Sequence, residues 1–182
     1  MTSISEIDLQ VLHSDKGYRQ HFMDLEFWRP YVIYVCQRDQ LSSNPTIRIG
    51  LVGTCPTFIV DNKWIIKFFG RNFDGDTSYQ TEFEVNRLVT EAGVIPAPPL
   101  LRADELFPDA SDWPWPFLIT EFVAGTSIGE VYAQVLDDDK RAVPTGLGRS
   151  AKPCITCRLR LRDCRFWSGM PTIDSLKINM SA

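Results

Sequence analysis

The sequence predicts an α+β fold whose sheet has roughly five antiparallel strands. Three short runs rich in β-branched and aromatic residues follow one another with tight turns, and two more come after a long amphipathic segment. That segment has the apolar spacing of a helix. With 182 residues, of which 44% are hydrophobic, the chain can bury a core, and we expect one domain with additional segments.

Charge and composition exclude several classes of function. A net charge of −4 at pH 7 gives no electrostatic reason to expect binding to nucleic acid or to an anionic membrane surface. No apolar run approaches the roughly 18 residues of a membrane span, and the acidic N-terminus does not resemble a signal peptide. Five cysteines, an odd number, do not suggest a secreted disulfide framework. These features predict a cytoplasmic protein, and they give no indication of its oligomeric state.

Residues 1–29 form a predicted N-terminal extension with a short helix. The run from Trp28 then predicts a longer helix, with Pro30 in its first turn and one apolar face. That face comprises Tyr31, Val32, Val35 and Cys36. The VIYV core of the run would suit a strand equally well, but its length and the SSNP turn after it favour a helix.

The next segments predict an antiparallel meander, over Thr46–Gly50, Thr57–Val60 and Lys63–Phe69. Its first turn contains Gly50, Gly53 and Thr54, whose backbone N–H groups would be able to approach a phosphate. Two glycines in a hairpin are more often plain turn residues, so this turn alone does not decide between the two interpretations. Further strands are predicted at about Pro99–Ala103 and Phe117–Phe122.

A helix is predicted between the meander and these later strands. Thr77 and Gln80 have capping-box spacing, and Gly93 is placed to end the helix. The predicted apolar stripe comprises Val85, Leu88, Val89 and Ala92. Glu84 flanks this stripe and is therefore a candidate to reach the sheet, although it would otherwise be one more surface carboxylate.

Lys67 is the unusual residue of the third strand, because it lies among Trp64, Ile65, Ile66, Phe68 and Phe69. Burying a lysine there is costly unless a carboxylate or a phosphate balances its charge. Glu84 is the predicted carboxylate. Lys63 is the rival lysine, but its place at the start of the strand predicts a solvated side chain.

Two tryptophans, Trp113 and Trp115, lie in the long acidic connection before the last strand. They are expected to pack this connection against the domain, while exposed tryptophans would instead mark a contact surface. After the last strand, Ser127 and Glu130 have capping-box spacing and predict another helix.

Three stretches together resemble a known family: WIIKFF around Lys67, TEFEVNRLVTEAGVIPAPPLL for the glutamate-bearing helix and its exit, and FLITEFVAG for the last strand. Their order is similar to the N-terminal lobe of the aminoglycoside phosphotransferase family, the small-molecule branch of the protein-kinase-like fold. The resemblance covers about residues 30–140. It implies a kinase-like N-lobe over residues 30–148, including the hinge and the first helix after it.

The resemblance also implies roles for particular residues. Lys67 would bridge the α- and β-phosphates of ATP, and Glu84 would orient it. The backbone carbonyl of Glu121 and the N–H of Val123 would bind the adenine edge. The place of the phosphate-covering loop is taken by Gly50, Gly53 and Thr54.

The chain also departs from the family pattern. Catalysis in the family depends on a histidine-glycine-aspartate loop in a C-terminal lobe, and this sequence contains no HGD. We therefore expect a truncated relative that binds nucleotide at most, without catalytic or metal-binding residues. Mg²⁺ would be needed only with the missing lobe, and a small-molecule acceptor only in an intact relative. The alternative is a non-catalytic interaction module that uses the tryptophans and the tail as contact surfaces.

Residues 149–182 form a basic tail whose charge balance is opposite to that of the preceding sequence. Cys154, Cys157 and Cys164 supply three sulfurs, but neither a second paired motif nor a downstream histidine accompanies them. This spacing does not predict a zinc site. The tail is expected to be disordered.

Overall fold

The computed structural model describes residues 4–51, 53–93, 97–110 and 112–125. Within them the chain is α+β, with several helices before the sheet and one long helix between its third and fourth strands. The helices are α1 (Glu6–Leu9), a 3-10 helix (Gln10–His13), α2 (Asp15–His21), α3 (Leu25–Arg38) and α4 (Gly75–Ala92). The strands are β1 (Ile47–Ile49), β2 (Thr57–Val60), β3 (Trp64–Phe68), β4 (Leu100–Glu105) and β5 (Pro116–Glu121).

The five strands form one antiparallel sheet in the order β1-β2-β3-β5-β4. This confirms the predicted α+β class, and it is the arrangement expected of a kinase-like N-lobe with one helix between β3 and β4. The apolar β3 and β5 each have a neighbouring strand on both sides, a position that suits them because such a strand buries more of its side chains. A register shift between Leu100 and Arg102 interrupts the pairing of β4 with β5.

One face of the sheet packs against α3 and the N-terminal helices. The indole of Trp28 stacks on Phe68, with 4.9 Å between ring centroids, and both side chains are fully buried. Leu9, Leu12 and Tyr18 of the N-terminal extension belong to the same core. The extension is therefore packed against the sheet, and the core does not begin at α3.

Helix α3 begins at Leu25, earlier than the predicted start near Trp28. The side chain of Asp24 caps it, because Oδ1 accepts hydrogen bonds from the N–H groups of Glu26 at 3.1 Å and Phe27 at 3.3 Å. Pro30 consequently lies inside the helix rather than in its first turn. The predicted buried face is confirmed for Tyr31, Val32, Val35 and Cys36.

The C-terminal end of α3 is tied to β4 by an ion-pair network. Arg38 donates to the carbonyl of Glu105 at 3.0 Å and to the carboxylates of Asp39 and Asp104. Arg102 also donates to Asp104, at 2.7 Å. Burial by itself would raise the pKa of Asp104, but the N–H of Glu105, the hydrogen bond from Arg102 and the two guanidinium charges together lower it.

Helix α4 begins at Gly75, two residues before the predicted cap. Thr77 Oγ1 donates to Asp74 Oδ1 at 2.9 Å, so the predicted capping box of Thr77 with Gln80 is wrong. The predicted end is confirmed, since Gly93 has a left-handed φ of 63° and its N–H donates to Val89 at 3.1 Å.

Helix α4 packs on the opposite face of the sheet from α3, through aromatic side chains. Tyr79 lies against Phe69, with 5.4 Å between ring centroids, and Phe83 lies one turn further along. The predicted stripe is wrong at Val85, whose side chain is 51% exposed, and at Ala92, which is also exposed, while Leu88 and Val89 are half-buried. The two aromatic rings bury more apolar area than the valine would, and they set the rotation of the helix.

Trp115 is 1% exposed and belongs to the core, while Trp113 is half-buried and its Nε1 donates to the carbonyl of Phe69 at 2.8 Å. The expectation that the two tryptophans pack the connection is confirmed. In the described ranges no helix is long and apolar enough to cross a membrane, and no cluster of His, Cys, Asp or Glu could hold a metal ion. The predicted helix at Ser127 and the tail 149–182 lie outside the described residues.

Candidate functional site

Lys67 lies in the middle strand of the sheet, on the face that packs against α4. Its cross-strand neighbours are Thr57 on β2 and Leu118 on β5. Its ammonium lies 5.0 Å from the centre of the Phe69 ring, and the side chain is 26% exposed. The position is thus apolar on one side and open on the other, as a lysine that can also meet a ligand requires.

Glu82 is the acidic partner of Lys67, and its Oε1 accepts a hydrogen bond from the lysine Nζ. The predicted pairing with Glu84 is wrong. Glu84 is exposed and forms an ion pair with Arg87 at 2.7 Å, and Arg87 also pairs with Glu91 at 2.8 Å.

The rotation of α4 explains this correction. Successive helical residues are about 100° apart, so Glu82 and Glu84 point in directions that differ by about 200°. Because Phe83 packs towards the sheet, its neighbour Glu82 lies at the edge of the same face. Asn86 Nδ2 donates to the carbonyl of Glu82 at 2.8 Å and braces the helix at this point. The Tyr79 and Phe83 pair, four residues apart, was the feature of the sequence that would have identified Glu82.

Cys55 is a neighbour of this ion pair that sequence reasoning missed. It is 6% exposed and packs with Phe69 and Leu118. Burial raises the pKa of its thiol, against an opposing effect of the Lys67 charge. Cys55 is consequently a neutral packing residue at physiological pH, not a nucleophile.

The loop between β1 and β2 lies near the end of β3 that carries Lys67, because Thr57, the first residue after this loop in β2, pairs with Lys67. The N–H of Gly50 donates to the carbonyl of Thr57 at 2.8 Å, so this N–H already forms a hydrogen bond between the two strands of the hairpin. Gly53 has open space around its Cα, and the carbonyl of Thr54 accepts a hydrogen bond from Tyr18 at 2.6 Å. The phosphate-binding role of Gly50, Gly53 and Thr54 stays a prediction.

The predicted hinge follows β5. Glu121 lies opposite Trp64, and its N–H donates to the carbonyl of Pro99 at 3.2 Å. The N–H of Phe122 donates to the carbonyl of Lys63 at 2.7 Å, and the side chain of Val123 is 64% exposed. Adenine recognition by Glu121 and Val123 stays a prediction. The Lys63 side chain is exposed, as its position predicted.

Together these groups place one cation beside one carboxylate on a partly open sheet face. A phosphate oxygen could accept a hydrogen bond from the Lys67 ammonium in place of the Glu82 carboxylate or in addition to it, because an ammonium has three donors. The arrangement provides charge for binding an anion. Among the described residues around Lys67, it does not bring together the nucleophile and base that a covalent mechanism needs.

No known protein-family profile matches the chain. A solved structure, the GDP complex of wild-type aminoglycoside 2'-phosphotransferase-IIIa, is similar to it with a TM-score of 0.49 and 19% sequence identity. The similarity covers 67% of this chain and 40% of that protein's chain.

Proposed function

We propose that this chain is a nucleotide-binding lobe of the kinase-like type, with Lys67 as its phosphate ligand. The observation that supports this proposal is the Lys67–Glu82 pair on the central strand. An apolar residue at position 67 would pack on Phe69 and Leu118 without the cost of desolvating a charge. A lysine held there by a carboxylate is therefore better explained by a ligand than by stability.

In this proposal Lys67 contacts the α- and β-phosphates of ATP, and Glu82 holds its ammonium in place. The carbonyl of Glu121 and the N–H of Val123 receive the adenine edge. Of the β1–β2 loop, Gly53 and Thr54 remain candidates to cover the phosphates, since the N–H of Gly50 is already bonded. Mg²⁺ would be held only in an intact relative, whose C-terminal lobe supplies its ligands.

The reaction class follows from the same proposal. Intact relatives would transfer the γ-phosphate of ATP to a hydroxyl of a small molecule. Such transfer needs a base and metal ligands positioned around one phosphate. This sequence contains no HGD, so the chain as given is proposed to bind nucleotide without transferring phosphate.

Isothermal titration of the chain with Mg-ATP tests the proposal. Lys67→Met removes the charge and keeps an unbranched apolar side chain, while Lys63→Met makes the same change at the exposed lysine four residues earlier. We expect binding to the wild type and to Lys63→Met, and at least tenfold weaker binding to Lys67→Met, since a charge-assisted hydrogen bond contributes about 1.5–3 kcal/mol. Equal affinities for the two variants, or no binding to the wild type, would contradict the proposal.

The alternative of a non-catalytic interaction module relied on the two tryptophans and on the basic tail. The tail lies outside the described residues, and the two tryptophans are packed. Trp115 is fully within the core, and Trp113 packs against it. A contact surface built on these two side chains would require the core to open.

A further inference from the structure

Tyr18 of helix α2 reaches across to the loop that precedes β2. Its hydroxyl donates to the carbonyl oxygen of Thr54 at 2.6 Å, over 36 positions of sequence. Tyr18 is 4% exposed. The N-terminal extension therefore contacts the β1–β2 loop through a short, partly buried hydrogen bond.

The Tyr18 hydroxyl is held in a fixed position. Its ring packs on Phe22 at 5.3 Å and on Phe73 at 5.5 Å between centroids, and it also lies against Gly70. Burial raises the pKa of the Tyr18 phenol, and the nearby Cys55 raises it further by a smaller amount. The hydroxyl consequently stays protonated and remains a donor throughout the physiological pH range.

This hydrogen bond fixes the orientation of the Thr54–Cys55 peptide group. In a planar trans peptide the C=O and the following N–H point in opposite directions. With the Thr54 carbonyl directed at the Tyr18 hydroxyl, the N–H of Cys55 points away from that hydroxyl. Tyr18 belongs to the core on the α3 face, whereas Cys55 packs on the α4 face.

Lys67 lies on this second face too. Its cross-strand neighbour Leu118 packs with Cys55, and the Lys67 charge acts on the Cys55 thiol. A backbone N–H and an ammonium on the same side of the sheet can share one anion, and backbone donors cost no rotamer entropy when they bind.

We propose that Tyr18 is a positioning residue of the nucleotide site, which turns the Cys55 N–H towards the phosphate held by Lys67. The inference rests on the proposed nucleotide function and adds the N-terminal extension to it. Helix α2 then affects nucleotide binding through Tyr18, although it does not contact the ligand.

Tyr18→Phe tests this inference, because it removes the hydroxyl and keeps the ring in the core. Tyr31→Phe is the matched control: Tyr31 is 3% exposed, and its hydroxyl donates to the carbonyl of Ser5 at 2.9 Å, far from the loop in sequence. Both variants lose one partly buried hydrogen bond to a backbone carbonyl. Two readouts are measured on the full chain, the amide exchange rate of Cys55 by NMR and the affinity for Mg-ATP by titration.

We expect Tyr18→Phe to raise the Cys55 exchange rate about fivefold and to weaken Mg-ATP binding by a similar factor, as the loss of one hydrogen bond implies. Tyr31→Phe should change neither. Unchanged Cys55 exchange in Tyr18→Phe, or an equal loss of affinity in both variants, would overturn the inference. If the wild type does not bind Mg-ATP while Tyr18→Phe still raises Cys55 exchange, the proposed function fails and the control of this peptide by Tyr18 stands.

Discussion

Glu82→Gln is the substitution that most sharply separates the observed ion pair from the one the sequence predicted. It leaves the Lys67 ammonium beside a neutral amide. Removing one partner costs about 0–1 kcal/mol for an exposed pair and about 3–5 kcal/mol for a buried one. The Lys67 and Glu82 side chains are 26% and 40% exposed, so the pair lies between these limits and nearer the first. We expect a loss of about 1.5 kcal/mol in the free energy of unfolding.

Urea denaturation measures this loss, and Glu84→Gln is the control with the same chemical change two residues away. For a slope of about 2 kcal/mol per molar urea, the midpoint of Glu82→Gln falls by about 0.7 M. Glu84→Gln removes an exposed contact of Arg87, which keeps Glu91 as a partner, so its midpoint should stay within experimental scatter. A larger shift for Glu84→Gln than for Glu82→Gln would refute the assignment of Glu82 as the partner.

Two further predictions concern the framework around the site. The pKa of Asp104 is lowered in the folded state, so its carboxylate stabilises the fold above its unfolded pKa of about 3.9, and this stability is lost as the pH falls through the folded pKa. Asp104→Asn should therefore flatten the fall of the thermal midpoint below about pH 4, and an unchanged profile would argue against the role of this network. A side chain at Gly75 would overlap the Gly70 carbonyl, whereas Gly53 has open space. Gly75→Ala should cost about 2 kcal/mol or more and Gly53→Ala about 0.5 or less by urea denaturation, and similar costs would count against the close approach at the start of α4.

Local sequence pattern was sufficient to predict the sheet. Alternating and continuous apolar runs bounded by turn residues predicted all five strands within a few positions, because sheet burial is recorded directly in residue type. Lys67 was identifiable for the complementary reason, as a charge in an otherwise apolar strand. The cost of burying it is visible without a structure.

The partner of Lys67 was not predictable from the same pattern. Helix α4 has two candidate apolar faces, one with Val85 and one with Phe83, and they place different glutamates towards the sheet. The choice between them depends on how much area each buries against Phe69 and Leu118, which is a property of the packed structure. Aromatic pairs four residues apart deserve more weight than aliphatic ones in this choice.

The long-range contacts of the N-terminal extension could not be predicted from the sequence either. Nothing in the local pattern links Tyr18 with Thr54, because the hydrogen bond depends on where helix α2 docks. The Asp24 cap could have been predicted from the sequence, since Asp followed by an apolar run is a helix-start pattern. Pro30 outweighed it in the prediction, although a helix can tolerate an internal proline when packing holds it.

Chemical modification of lysines in the wild-type chain tests the central claim most directly. Mass spectrometry gives the acetylation rates of Lys67 and Lys63 in the presence and absence of saturating Mg-ATP. If Lys67 is the phosphate ligand, Mg-ATP slows its acetylation several-fold and leaves the exposed Lys63 unchanged. Equal rates at Lys67 with and without nucleotide, or equal slowing at both lysines, would contradict the account.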